Sequence, residues 1–351
     1  MPTLQITRTP SSRLTEELRE TSPFGTTFAD HMLLASCRDG RWSEPEILPY
    51  RDLPMSPAAS ALHYGQAIFE GFKAHRTIDG RIGVFRPLEN FARLNRSAAR
   101  LAMPPVPQNV FIDGLLELLR LDQEWVPRGD GGALYIRPVY VASEGLLQVR
   151  PSASYQFMVI TSPSGPYFTG AVDLLAEPQF VRACPGGTGD VKAAGNYAGS
   201  LLAAQQAQKQ GCHTVLWLDS SEHRFVEECG LMNIVFVMDG RVVTPPLSGT
   251  ILPGITRDSV LTLCRDMGVT VEERRVPIDE LFERHAAGKL TQAAGVGTAA
   301  TVAPIRKIRY HHREIELAPH DQQSPLERAR KELEAIRTGQ MPDTRGWLTF
   351  I

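Results

Sequence analysis

The chain has 351 residues, 42% of them apolar and 22% charged, and a formal net charge of -2. This is the composition of an ordinary globular protein long enough for two domains with separate cores, and it excludes a disordered or fibrous chain. With Lys and Arg scattered and the charge near neutral, there is no basic field for nucleic acid or anionic lipid, so small neutral or acidic molecules are the expected partners.

The N-terminus, Met1-Pro-Thr-Leu-Gln-Ile-Thr-Arg8, has no apolar run behind basic residues. No later segment approaches the roughly 18 uncharged apolar residues of a membrane span, so a cytoplasmic protein without a membrane partner is expected. After a polar leader, strand-like runs stand at residues 32–37 and 46–48, and residues 58–64 lead into a segment punctuated by Gly65 and Gly71. Residues 73–77 and 82–85 flank Asp79-Gly80, a dipeptide suited to the positive φ angles of a tight hairpin. Pro87 opens a helix with apolar spacing through Phe91, Leu94, Ala98 and Leu101, stopped by Pro104-Pro105, and a second helix is expected over residues 110–125. Strands are expected at 133–142, 156–161 and 172–175, with Ser162-Pro-Ser-Gly-Pro166 as the turn into a connection between domains.

The second half reads as strands and hairpins: 214–218, 225–227, and 234–238 joined to 242–243 through Asp239-Gly240. Helices interrupt it at 197–210, 258–267 and 279–285, and a charged surface helix is expected over 324–336. Local hairpins without regular β-α-β alternation predict an α+β chain with a barrel-like second domain in place of a doubly wound sheet. Five cysteines, Cys37, Cys184, Cys212, Cys229 and Cys264, form no C-x-x-C pair. They suggest neither a zinc site nor disulfides, and no metal is expected.

One lysine stands among small residues in Arg182-Ala-Cys-Pro-Gly-Gly-Thr-Gly-Asp-Val-Lys192-Ala-Ala-Gly-Asn-Tyr-Ala-Gly-Ser200. Held in a poorly hydrated pocket, a lysine loses its proton more easily, and the neutral amine can form a Schiff base with an aldehyde such as pyridoxal phosphate. A solvated surface lysine is the alternative, and this stretch by itself leaves both open. Gly295-Val-Gly-Thr-Ala-Ala300 fits the loose G-x-G-x-x-A dinucleotide pattern, but Pro304 arrives too soon for the helix that pattern requires. A phosphate-binding turn without a helix remains compatible with it. No Gly-Lys-Ser or Gly-Lys-Thr of a P-loop occurs.

In their order, these segments resemble the branched-chain aminotransferases of the pyridoxal phosphate fold-type IV class. The resemblance runs through residues 62–73, Phe85-Arg-Pro87 with Asn90 and Arg93, Leu134-Tyr-Ile-Arg-Pro138, Gly165-Pro-Tyr-Phe168, the lysine stretch, Glu228-Cys-Gly-Leu-Met-Asn233, Leu252-Pro-Gly-Ile-Thr-Arg257 and Gly295-Val-Gly-Thr-Ala299. It covers almost the whole chain, and eight segments in one order are far more specific than any single motif. It implies a small N-terminal α+β domain (1–165), an interdomain connection (166–181), a large C-terminal cofactor-binding domain (182–351), and a homodimer.

The same resemblance assigns roles. Lys192 is the catalytic amine. Arg93, the amides of Ile255 and Thr256 and the hydroxyls of Thr256 and Thr298 hold the cofactor phosphate; Tyr197 meets the ring hydroxyl; Glu228 meets the ring nitrogen. Strand alternation lets only one of Glu227 and Glu228 point inward, and the spacing to Asn233 selects Glu228. Tyr64, Phe69, Tyr135 and Tyr167 form an apolar wall for the side chains of leucine, isoleucine and valine. The amides of Thr298 and Ala299 receive the substrate α-carboxylate. Apart from the resemblance, a carboxylate of 2-oxoglutarate buried against an aromatic wall needs a cation, and Arg137, on the face of Tyr135 by the two-residue period, is the candidate, the alternative being a structural arginine tying two strands together. Arg182 supports the lysine loop or the phosphate region, and Glu228→Gln is expected to leave a stable protein.

Two positions depart from the pattern. Ala300 and Ala303 stand where animal members carry a C-x-x-C, and Leu231 stands where relatives often place a small or hydroxylated residue. The rival readings are a D-amino acid transaminase or an aminodeoxychorismate lyase of the same fold, and, from another class, a non-catalytic pyridoxal phosphate-binding protein.

Overall fold

The computed structural model describes residues 4–20, 24–129, 131–165, 170–299 and 301–351. They form two compact units, one made of residues 1–167, 192–195 and 336–351, the other of residues 168–191 and 196–335.

In the first unit one mixed sheet has the spatial order Gln5–Ile6, Glu46–Pro49, His31–Arg38, Ser154–Ser164, Ala133–Ala142, Phe72–Arg76, Ile82–Phe85, Leu348–Phe350. The short strand Ala67–Phe69 pairs with Ala133–Ala142 next to Phe72–Arg76. Leu33, Val84, Leu134, Ile136 and Phe157 from the strands share one core with Leu94 and Ala98 of the helix Pro87–Arg100, and with Phe111, Leu115 and Leu118. Burial of these side chains stabilises each by roughly 1.5–3 kcal/mol before the entropy of ordering is subtracted.

Several expectations shift in detail. The hairpin at Asp79-Gly80 has positive φ only at Gly80, and Thr77 and Gly80 close a longer turn through Thr77 N–H to Arg81 O and Gly80 N–H to Thr77 O. Asp239 and Gly240 do both take positive φ, joining Met238 to Arg241 as a two-residue turn. Of the turn expected at residues 162–166, residues 162–164 are strand, with Pro163 paired to Leu134, and Pro166 lies outside the described residues. Proline is tolerated there because the ladder with His31–Arg38 ends at Val159, four residues earlier, so no bond of that ladder is lost at Pro163. The second helix divides into a π turn at Asn109–Asp113, an α-helix at Gly114–Leu121 and a 3-10 turn at Gln123–Trp125. The helix expected over 197–210 breaks at Gly199-Ser200 into Ala194–Ala198 and Leu201–Lys209.

The second unit is built on a closed ring of six strands: Val172–Ala176, Thr214–Leu218, Val226–Cys229, Met232–Met238, Leu290–Gly297 and Thr301–Tyr310. Each pairs with the next in chain order, and the last pairs with the first. Two of the six pairings are parallel, Val172–Ala176 with Thr214–Leu218 and with Thr301–Tyr310; the other four are antiparallel, as local hairpins predict. The stretch Gly295–Ala299 runs out of one strand and into the next with no helix, so the dinucleotide reading fails on structure as it did on sequence. Together the two units are the α+β, barrel-containing architecture that the hairpin pattern implied.

Candidate active site

In the first unit the lysine loop is tied at its peptide. Lys192 N–H donates to Ser97 Oγ at 3.0 Å, Phe69 N–H donates to Lys192 O at 3.2 Å, and Ala193 bridges to Ile68. Lys192 is half-buried, with Nζ 4.7 Å from the centre of the Phe69 ring. Arg137 Cζ lies 4.7 Å from that same ring, and Arg137 Nη2 donates to the Tyr135 hydroxyl at 2.8 Å. Lys192, Phe69, Tyr135 and Arg137 are therefore one cluster, as two-residue strand alternation places Tyr135 and Arg137 on one face. Packing is close at Gly71, where a Cβ would displace the Tyr135 hydroxyl.

Arg93 is not on a solvated helix face. It is 4% exposed, and its Nε and Nη2 meet the fully buried Glu70 at 2.7 and 2.8 Å. This bidentate, charge-assisted pair fixes the guanidinium in one orientation. Tyr64 closes the helix Ser60–Tyr64 and is exposed, and Tyr167 lies outside the described residues.

In the second unit Glu228 faces Asn233 across the hairpin between Val226–Cys229 and Met232–Met238. Its Oε2 receives Arg182 Nε at 2.7 Å, and its Oε1 receives Asn233 Nδ2 at 3.0 Å and Leu252 N–H at 2.9 Å. Every one of these groups is a donor, so the pocket is built for a carboxylate. Asn233 Nδ2 also donates to Leu252 O, and its Oδ1 occupies the place where a Cβ on Gly254 would fall. One asparagine thus sets Glu228 against the start of the helix Ile255–Asp266. That first turn points the amides of Ile255 and Thr256 outward along the helix axis, the arrangement that suits an anion. Thr256 is buried, whereas Thr298 and Ala299 are half-buried in the turn after Leu290–Gly297. Tyr197 is half-buried on the short helix Ala194–Ala198.

Arg182 does brace the loop that leads to the lysine. Its Nη1 donates to Gly189 O and Thr250 O at 3.1 and 2.8 Å while Nε holds Glu228. The alternation argument for Glu227 and Glu228 needs correction, because both are buried. They face opposite sides of the strand, and the far side is covered as well: Glu227 accepts from Thr250 Oγ1 and lines a cavity of about 310 Å³ with Phe225, Pro245 and Arg275. Burial pushes its carboxyl above the usual range. Among the described residues no group of three or more His, Cys, Asp and Glu could hold a metal, and no helix is long and apolar enough to cross a membrane.

Sequence reasoning missed Glu70, Ser97 and the Arg182–Glu228 pair. An acidic residue between Phe69 and Gly71 was the available clue for Glu70; a serine four residues after Arg93 gave none. Each unit taken by itself holds groups of the kinds that pyridoxal phosphate requires: in the first an amine beside an aromatic ring and a buried arginine, in the second a carboxylate whose partners are all donors and a helix start suited to an anion.

A family model described as amino-transferase class IV matches residues 67–308. The chain is 46% identical over 333 residues to the probable branched-chain-amino-acid aminotransferase of Staphylococcus aureus strain MRSA252, covering 93% of each chain. Against the branched-chain-amino-acid aminotransferase of Mycobacterium tuberculosis strain CDC 1551 it is 46% identical over 335 residues, covering 93% of this chain and 91% of that one. Among solved structures, the branched-chain amino acid aminotransferase from Escherichia coli matches at a TM-score of 0.73 and 26% identity, over 91% of this chain and 98% of that one.

Proposed function

From the premise that the chain belongs to the class IV aminotransferase family, we propose that it is a pyridoxal phosphate-dependent transaminase that moves the amino group of L-leucine, L-isoleucine or L-valine to 2-oxoglutarate. When bound, pyridoxal phosphate supplies an aldehyde that takes up the amino group and a ring that draws electrons from the substrate α-carbon.

The chain's own residues do the rest. Lys192 Nζ would hold the cofactor by its aldehyde in the resting protein and, as a free amine, would carry the proton between the substrate α-carbon and the cofactor's aldehyde carbon. Glu228, held by Arg182, Asn233 and Leu252, keeps a proton on the ring nitrogen. Tyr197 donates to the ring hydroxyl. Arg93, the amides of Ile255 and Thr256 and the hydroxyls of Thr256 and Thr298 bind the phosphate. Tyr64, Phe69, Tyr135 and Tyr167 exclude water around an apolar side chain, the amides of Thr298 and Ala299 bind the α-carboxylate, and Arg137 binds the far carboxylate of 2-oxoglutarate.

The observation that supports this reading best is the cluster in which Lys192 Nζ and the Arg137 guanidinium each lie 4.7 Å from the Phe69 ring, an amine and a carboxylate partner at one aromatic wall. The test is a half-reaction panel on the purified holoprotein. Leucine, isoleucine and valine should change the bound cofactor's absorption, and D-alanine should not. Reaction with D-alanine in preference to L-leucine would overturn the assignment in favour of a D-amino acid transaminase, and no reaction with any amine would mean a binding protein. The same reading makes the chain cytoplasmic and a homodimer, the second of which sedimentation of the purified protein checks.

A further inference from the structure

We propose that Ser97 is a positioning residue that sets the Lys192 amine in register with Arg93. The inference rests on the reading of Lys192 as the cofactor-holding amine. Ser97 is fully buried on the helix Pro87–Arg100, one turn after Arg93. Its hydroxyl donates its single proton to Arg93 O at 3.0 Å, which leaves the oxygen lone pairs to accept Lys192 N–H, also at 3.0 Å. One oxygen atom therefore joins the backbone of Arg93, the arginine proposed to bind the phosphate, to the backbone of the lysine.

The other ends of this bracket are also fixed. Glu70 grips the Arg93 guanidinium through two bonds, and the neighbouring Phe69 N–H holds Lys192 O. Lys192 is consequently bonded on both sides of its own residue, by groups that belong to the helix and to the strand carrying the aromatic wall. A long flexible lysine side chain can place Nζ reproducibly only if its Cα is fixed, and reacting groups lose about 100-fold in rate for displacements near 1 Å. A role confined to the helix is the competing explanation, and it makes the opposite prediction. Serine bonded to the carbonyl four residues back slightly disfavours a helix, and alanine is the better helix former, so Ser97→Ala should leave the helix itself intact.

The experiment compares wild type, Ser97→Ala and Ser97→Thr in three measurements. The first, hydrogen exchange on the protein before cofactor is added, should show the Lys192 amide exchanging roughly tenfold faster or more in Ser97→Ala, with the amides of residues 90–100 unchanged. The second, kinetics of the holoprotein, should show kcat reduced about tenfold with the KM for leucine changed less than twofold, since the bracket touches no substrate. The third is the pH titration of the lysine-bound cofactor's absorption, which should shift in Ser97→Ala and return toward wild type in Ser97→Thr, where the hydroxyl is kept. Unchanged exchange at Lys192 in a folded Ser97→Ala protein would overturn the proposal, as would faster exchange along the whole helix. If Ser97→Ala does not fold, Ser97→Cys, with a similar volume and a weaker acceptor, should show intermediate exchange at Lys192, and wild-type exchange there would equally overturn it. Should borohydride trap the cofactor on a different lysine, the functional reading of Lys192 fails, while the exchange result still decides whether Ser97 holds that loop.

Discussion

In the first unit Lys192 and Arg137 rest against the face of Phe69, whereas in the second Glu228 is met by a guanidinium, a side-chain amide and a backbone N–H, all within 3.0 Å. A cation over an aromatic ring gains about 0.5–2 kcal/mol, so it can leave the ring when an anion or an aldehyde offers a better partner. A buried carboxylate paired to arginine is different, since breaking the pair costs roughly 3–5 kcal/mol. On the proposed mechanism, the contrast separates groups that would change partner during turnover from a group that would not. Arg93 belongs with the fixed groups although it lies in the first unit, because Glu70 locks it.

The largest effect should come from the movable amine. Lys192→Ala should lower kcat by about 1000-fold or more, because both the holding amine and the proton carrier are removed. Borohydride reduction followed by peptide mapping checks the same point: the wild type should be labelled at Lys192, and a label on another lysine would refute the assignment.

The second prediction tests the fixed side. Sequence alone led us to expect that Glu228→Gln would leave a stable protein, and the structure changes that expectation. Arg182 is 6% exposed at its side chain and would face a neutral amide in place of its counter-charge. We now expect a loss of about 3 kcal/mol in unfolding free energy by denaturant titration, together with slowed proton transfer from leucine. A variant as stable as wild type would show that Glu228 is not locked, and the contrast between the units would lose its basis.

Arg137→Gln probes the movable cation. Arg137 Nε is buried with no hydrogen-bond partner among the described residues, so the guanidinium holds donor capacity in reserve when no dicarboxylate is bound. The acceptor half-reaction with 2-oxoglutarate should weaken by about 2 kcal/mol, the value of one charge-assisted pair, while the donor half with leucine changes little. Equal losses in both halves would make Arg137 a structural tie to Tyr135 instead.

The distinction between movable and fixed groups was only partly legible in the sequence. The lysine among glycines could be read from its own stretch, while Glu228 ahead of Asn233 and the amides of Ile255 and Thr256 were given by the family resemblance; the helix expected at 258–267 starts earlier, at Ile255. The strand Ala133–Ala142 and four of the six ring strands followed from alternation and turn residues, whereas Leu290–Gly297 and Thr301–Tyr310 were not read as strands, because small residues and a proline mask their alternation. What stayed hidden were partners far apart along the chain, since Glu70 and Arg93, Ser97 and Lys192, and Arg182 and Glu228 are separated by 23, 95 and 46 residues, and no local periodicity encodes such pairs. Burial on both faces of Val226–Cys229 was hidden for a related reason, because the cover over Glu227 comes from residues 245–251 and Arg275.

The smallest expected effect concerns thiols. Ala303 is buried and Ala300 lies outside the described residues, so the absence of a paired thiol there is a statement about sequence. The remaining cysteines divide sharply by exposure: Cys184 is exposed, and Cys37, Cys212, Cys229 and Cys264 are buried. Burial raises the thiols of Cys37 and Cys212, pushes that of Cys264 up to about 12, and raises that of Cys229 further, with the neighbouring Glu228 charge adding to it. A thiol held above its ordinary range carries almost no thiolate at neutral pH, and the thiolate is the reactive form. Cys229 adjoins Glu228 in sequence, so its reactivity reports directly on whether that region is sealed. In the native protein a thiol reagent should therefore modify one cysteine per chain, Cys184, and mild peroxide should change activity by less than about twofold with no recovery on adding reductant. A second fast-reacting thiol mapped to Cys229 would mean that the region around Glu228 opens in solution, and a large loss restored by reductant would overturn the expectation that thiols do not control activity.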